Sequence, residues 1–138
     1  MKKIKTIELE NSLRHASKDD LELILDSYQE TEFTLEFERL LTVKNMTKSD
    51  LIKKTTLDRN YAYQIIQGSK NASKDKIIQF CIALQCSLEE SNRLLTLSDN
   101  SSLYAKQKRD ALLIVAIEKQ YTVMETNDLL NQFELEIL

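Results

Sequence analysis

Proline and tryptophan are absent from these 138 residues, and glycine occurs once, at Gly68. A chain with so few breakers, rich in Leu, Ile, Glu and Lys, favours an all-α fold over turn-rich β architectures. Cysteine is confined to Cys81 and Cys86. Two thiols this close make no disulfide framework and read as core thiols. His15 is the only histidine, so no metal site is expected, and it reads as a surface residue. No nucleophile sits beside a base and no glycine loop could cradle phosphate, so neither an enzyme nor a cofactor is expected. No apolar run is long enough to span a membrane, and Met1-Lys2-Lys3 is not followed by an apolar signal core. The expected location is cytoplasmic.

What is present suits one domain of ordinary core size: 42% of residues are hydrophobic. The net charge is −3, but it is unevenly spread. Residues 1–43 and 77–138 each carry a net −4, whereas residues 44–76 carry +5 from Lys44, Lys48, Lys53, Lys54, Arg59, Lys70, Lys74 and Lys76 against three aspartates. A local basic footprint is what contact with phosphate requires; the bland alternative is a solvated lysine-rich face.

The basic block coincides with the most informative stretch, Thr47 to Asn71. Thr47, with Asp50 three residues on, starts a helix that reaches about Lys54. Thr55-Thr56-Leu57 makes a turn, Asp58 caps a second helix, and Gly68 ends it. Helices joined by so tight a turn cross steeply. Leu51, Leu57, Ala62 and Ile65 face inward. Arg59, Asn60, Tyr63, Gln64 and Gln67 face outward, a set of donors and acceptors able to read base edges. The turn is expected to need a positive φ at Thr56, where a β-branched residue is strained, so Thr56→Gly is expected to be neutral or stabilising.

Residues Asn45 to Ser73 resemble the lambda-repressor-like, or Xre-type (Cro/C1-type), helix-turn-helix family. The likeness lies in Met46-Thr47-Lys48-Ser49-Asp50-Leu51, in Leu57-Asp58-Arg59-Asn60-Tyr61-Ala62-Tyr63-Gln64-Ile65, and in Gly68-Ser69-Lys70-Asn71-Ala72-Ser73. It covers roughly positions 35 to 97. The resemblance implies an all-α helix-turn-helix bundle and a prokaryotic or phage repressor-like transcription regulator. It implies a recognition helix at about 58–67 in the major groove, with Arg59, Asn60, Tyr63 and Gln64 at base edges. It also implies phosphate contacts from Lys48, Asp58, Tyr61, Gln67, Lys70 and Asn71. Double-stranded DNA is the expected partner and a homodimer the expected assembly. The rival reading is a protein–protein interaction or adaptor module on the same fold, since fold does not settle function.

Around this centre the chain divides into an N-terminal helical extension (1–33), the helix-turn-helix domain (34–100) and a C-terminal helix pair (101–138). In the extension, Ser17-Lys18-Asp19-Asp20 reads as a capping box before a stripe of Leu21, Ile24, Leu25 and Tyr28; Ile7, Leu9 and Leu13 hint at a shorter helix. Thr34 is the expected cap of the first domain helix, with Phe37, Leu40 and Leu41 inward. Ser73 caps a helix to about Leu84, and Ser87-Leu88-Glu89-Glu90 is a full capping box. A further helix is expected from near Leu103 to Lys119, and Thr122-Val123-Met124-Glu125 caps the last. Residues 74–97 and 109–132 align at an offset of 35, with Asp75/Asp110, Gln85/Gln120, Glu90/Glu125, Asn92/Asn127 and Leu95/Leu130 identical. The second helix pair therefore reads as a copy of the first stacked upon it, structural and dimerising rather than DNA-reading.

Overall fold

The structure, a computed structural model, describes residues 10, 11, 13–21, 32–68 and 70–138. The chain forms two compact units, Met1–Glu30 and Thr31–Leu138. In the first, the Ser17 N–H donates to Asp20 Oδ2 at 3.1 Å and the Asp20 N–H to Ser17 Oγ at 3.2 Å, the reciprocal box read from the sequence. His15 is exposed. Of the expected stripe, Ile24, Leu25 and Tyr28 lie outside the described residues, as do Ile7 and Leu9.

The second unit is all-helical over its described residues. Its helices are α1 (Glu32–Val43), α2 (Lys48–Lys53), α3 (Arg59–Ile66), α4 (Lys74–Ala83), α5 (Leu88–Leu97), α6 (Lys108–Glu118) and α7 (Val123–Gln132). Helix α4 lies at the centre, with Ile77 to Ala83 all buried. It packs against α2, α5, α6 and α7, and Phe80 meets Phe37 of α1 edge-on at 5.3 Å. A helix with so little polar face is stable only when covered on several sides.

One corner recurs three times. Asn45-Met46-Thr47, Gln85-Cys86-Ser87 and Gln120-Tyr121-Thr122 each place a left-handed residue first (φ 53°, 55° and 55°) and a helix N-cap last. The middle residue donates its N–H back to a carbonyl of the preceding helix: Met46 to Leu41, Cys86 to Cys81, Tyr121 to Ala116, all at 2.9–3.0 Å. This is a six-residue Schellman closure, which satisfies carbonyls the helix end leaves open.

The repeat is structural down to single bonds. Ser87/Glu90 and Thr122/Glu125 form complete capping boxes. The Leu103 N–H donates to Asn92 Oδ1 at 2.9 Å, and 35 residues on the Leu138 N–H donates to Asn127 Oδ1 at 2.7 Å. The first residues of α4 and the matching residues of α6 exchange charges. Lys74 pairs with Asp110 at 3.2 Å, and Arg109 grips Asp75 through two bonds of 2.7 and 2.9 Å.

Three local expectations need correction. Helix α1 includes Thr34 rather than starting after it; Thr34 is buried and its hydroxyl donates to the Ile66 carbonyl at 2.8 Å, a contact 32 residues away in sequence. Helix α6 starts at Lys108, not near Leu103. Leu103 is buried and held by Asn92, and the Tyr104 N–H donates to Asp110 Oδ2 at 2.9 Å, so residues 103–107 form an anchored turn. Thr56 is not left-handed: it is absent from the positive-φ residues, and its N–H donates to Gln79 Oε1 at 2.9 Å.

Candidate nucleic-acid interface

Helices α2 and α3 are set by local chemistry and locked by distant partners. Thr47 Oγ1 accepts from the Asp50 N–H, and Asp58 Oδ2 accepts from the Tyr61 N–H, both at 3.1 Å. Each bond satisfies a donor left over at a helix start. Gly68, at φ 80°, closes α3 in a conformation that costs glycine little. The turn between them is held by Gln79 of α4, and the end of α3 by Thr34 of α1. Leu51, Ile52, Ala62, Ile65 and Ile66 are buried beneath, with Leu57 half-buried.

At 3.6 residues per turn, Asn60, Gln64 and Gln67 form the middle of the face opposite that core. All three are exposed. Each edge of the face carries a half-buried tyrosine with a cation on it. On one edge the Arg59 guanidinium lies 5.7 Å from the centre of the Tyr63 ring. On the other, Lys76 Nζ lies 4.5 Å from the centre of the Tyr61 ring and donates to its hydroxyl at 3.1 Å. Lys70 and Asn71 are exposed in the loop that follows. Beside them lies a small cavity of about 110 Å³, lined in part by Ile65, Ile77 and Leu97. The arrangement is a short helix held rigidly from behind, presenting amides flanked by donors.

Residues 36–94, which include α2, α3 and the loop after them, match the family model of the Cro/C1-type HTH DNA-binding domain. Over those residues the chain is similar to the Cro/C1-type helix-turn-helix DNA-binding domain. Such a domain supports DNA-binding regulation in general. The match spans α1 from Glu36 to Leu94 in α5, so α6 and α7 lie beyond it. No curated protein and no solved structure matches the chain.

Folding pairs part of the basic block with opposite charges. Three lysines of the basic block are met by carboxylates from outside it: Lys48 by Glu38 at 3.1 Å, Lys44 by Glu90 at 3.1 Å and Lys74 by Asp110 at 3.2 Å. Conversely, Asp75 of the block is taken by Arg109. Among the described residues, no carboxylate bridges Lys53, Lys54, Arg59, Lys70 or Lys76. Burial tends to raise Glu90, but the Ser87 N–H and the Lys44 ammonium outweigh it and hold the carboxyl below its usual 4.5. Glu36 is likewise lowered, chiefly by its hydrogen bond from Arg39.

The expected outward residues emerge outward, with Tyr63 half-buried beneath Arg59. Asp58 is exposed and serves as the cap of α3; a carboxylate offers a phosphate no donor, so its effect on an anion runs through the N–H groups it holds. Sequence reading missed Lys76 and Gln79, because their partners lie 15 and 23 residues away and carry no local signature. Cys81 and Cys86 are buried. The neighbouring Cys81 and burial push the Cys86 thiol up, away from thiolate character. Among the described residues no group of His, Cys, Asp and Glu could hold a metal, and no helix is long and apolar enough to cross a membrane.

Proposed function

We propose that the chain is a sequence-specific, repressor-like transcription regulator that lays α3 in the major groove of double-stranded DNA. The exposed amide face of α3, within a segment matching a DNA-binding family, carries this reading. Asn60 and Gln64 suit adenine and Arg59 suits guanine through paired hydrogen bonds, with Tyr63 beside Arg59 at the base edge. Lys48, Tyr61, Gln67, Lys70 and Asn71 serve the sugar-phosphate backbone, and Asp58 presents the first turn of α3 to it. Lys48 would exchange Glu38 for a phosphate on binding.

A homodimer fits the reading, since one such domain spans only a short half-site. Its surface would come from α6 and α7. In α7 and the residues after it, Met124, Phe133 and Ile137 are exposed where the first copy of the repeat has Glu89, Ser98 and Ser102. A prokaryotic or phage cytoplasm is the setting we assign. Selection from a random-sequence duplex pool tests DNA reading: recovery of a common near-palindromic motif is expected, and an unenriched pool overturns it. Sedimentation at micromolar concentration tests the dimer: a monomer with and without DNA overturns that part.

One observation favours a second reading, a protein-interaction module on the same fold. Carboxylates neutralise three lysines of the basic block, and the whole chain is acidic. That reading gains if the pool shows no enrichment and no salt-dependent retention of any duplex.

A further inference from the structure

We propose that Lys76 and Tyr61 together form an anion site that takes one backbone phosphodiester of the bound duplex, at the edge of α3 away from Arg59. The inference rests on the DNA-reading function proposed above and adds a contact residue to it. Lys76 lies in the first turn of α4, outside the recognition helix and its loop. Yet its ammonium is 3.1 Å from the Tyr61 hydroxyl, which belongs to the first turn of α3.

Both side chains are half-buried, so their positions are set by packing rather than left to solvent. The ammonium has three donors and gives one to the phenol oxygen. Accepting that bond polarises the phenol O–H and makes it a stronger donor in turn. One phenol donor and two ammonium donors then converge on a single oxygen-rich anion. This differs from the other lysines of the block whose partners are known. Lys44, Lys48 and Lys74 already have carboxylates, so binding a phosphate there trades one anion for another.

The charges around the site agree. Asp75, next in sequence to Lys76, is bound to Arg109 by two short bonds rather than to the Lys76 ammonium. Asp58 is the other acid on this edge; its carboxylate accepts from the Tyr61 N–H.

The test is the salt dependence of binding to a short mixed-sequence duplex by fluorescence anisotropy, using the full chain. Neutralising one phosphate contributes roughly 0.9 to the slope of log K against log salt. Lys76→Gln should lower the slope by about that amount, and Lys76→Arg should restore it. Lys108→Gln, on exposed α6 surface, should leave it unchanged. Tyr61→Phe keeps the ring and should weaken all duplexes roughly two- to tenfold without changing the slope. If the unaltered chain binds with a clear slope and Lys76→Gln matches it, the anion site is wrong and DNA reading stands. If Tyr61→Phe has no effect, the phenol is not part of the site and the pair as proposed is overturned. A fall of the same size in Lys108→Gln also overturns it. If the unaltered chain shows no salt-dependent binding, the DNA-reading function fails and this site with it.

Discussion

Gln79 holds Thr56 through both ends of its amide: Oε1 accepts the Thr56 N–H at 2.9 Å, and Nε2 donates to Thr56 Oγ1 at 2.8 Å. Gln79 is buried in α4, and Thr56 is the turn between α2 and α3. The crossing of the two helices is thus pinned from behind by one side chain.

Two substitutions follow from that bond. Thr56→Gly removes the hydroxyl and loosens a residue with no left-handed strain to relieve, and should lower stability by about 0.5–2 kcal/mol. Gln79→Leu leaves the Thr56 N–H without its acceptor and should cost about 1–3 kcal/mol. Urea unfolding followed by circular dichroism measures both. A Thr56→Gly variant as stable as the parent would restore the strained-turn expectation.

On the reading face, Arg59→Ala and Gln64→Ala should each weaken binding to a selected operator by about 1–3 kcal/mol and relax preference at one base position. Lys48→Ala should weaken all duplexes alike, leaving Glu38 without its cation. Titrations against the operator and a scrambled duplex separate the two behaviours. Undiminished operator affinity in both face variants would remove Arg59 and Gln64 from the base contacts.

The exchanged pairs Lys74–Asp110 and Asp75–Arg109 dock the second helix pair onto the first. Asp110 is buried and also accepts from the Tyr104 N–H. Asp110→Ala should cost about 1–3 kcal/mol, because it strips partners from a lysine and a backbone donor at once. Asp75→Ala, at a more open pair, should cost about 1 kcal/mol or less. Melting temperatures rank the two; an equal or reversed order would show that Asp110 is not the principal anchor.

Acid should loosen the bundle through Glu90 and Glu36. Both carboxyls sit below 4.5 in the folded chain. Near and below pH 4.5 the unfolded chain therefore binds more protons, and stability falls with pH until the folded carboxyls are protonated too. Glu90→Gln preserves a capping-box residue but not the charge, so its melting temperature should vary less across this acid range. An unchanged pH dependence would assign acid lability to other groups.

The order of helices was legible because their ends are written locally. Thr47, Asp58, Ser87 and Thr122 each find a partner within three residues, so sequence spacing alone specifies the bond. The repeat was legible for the same reason: equal spacing of equal caps and asparagines reproduces equal corners. The outward face of α3 followed from helical period, which needs only the knowledge of which side is apolar.

Tertiary structure decided what depends on partners far along the chain. Thr34 looks like a cap in sequence, but it lies in α1 and bonds Ile66. Leu103 looks like a helix start and becomes a buried anchor because Asn92 takes its N–H. The +5 block is real in sequence, yet Glu38, Glu90 and Asp110 meet three of its lysines only once folding brings them within 3.2 Å. Local hydrogen bonds are fixed by spacing. Charge pairing and the conformation of a turn are fixed by whichever neighbours the packed helices deliver, and no single stretch of sequence contains them.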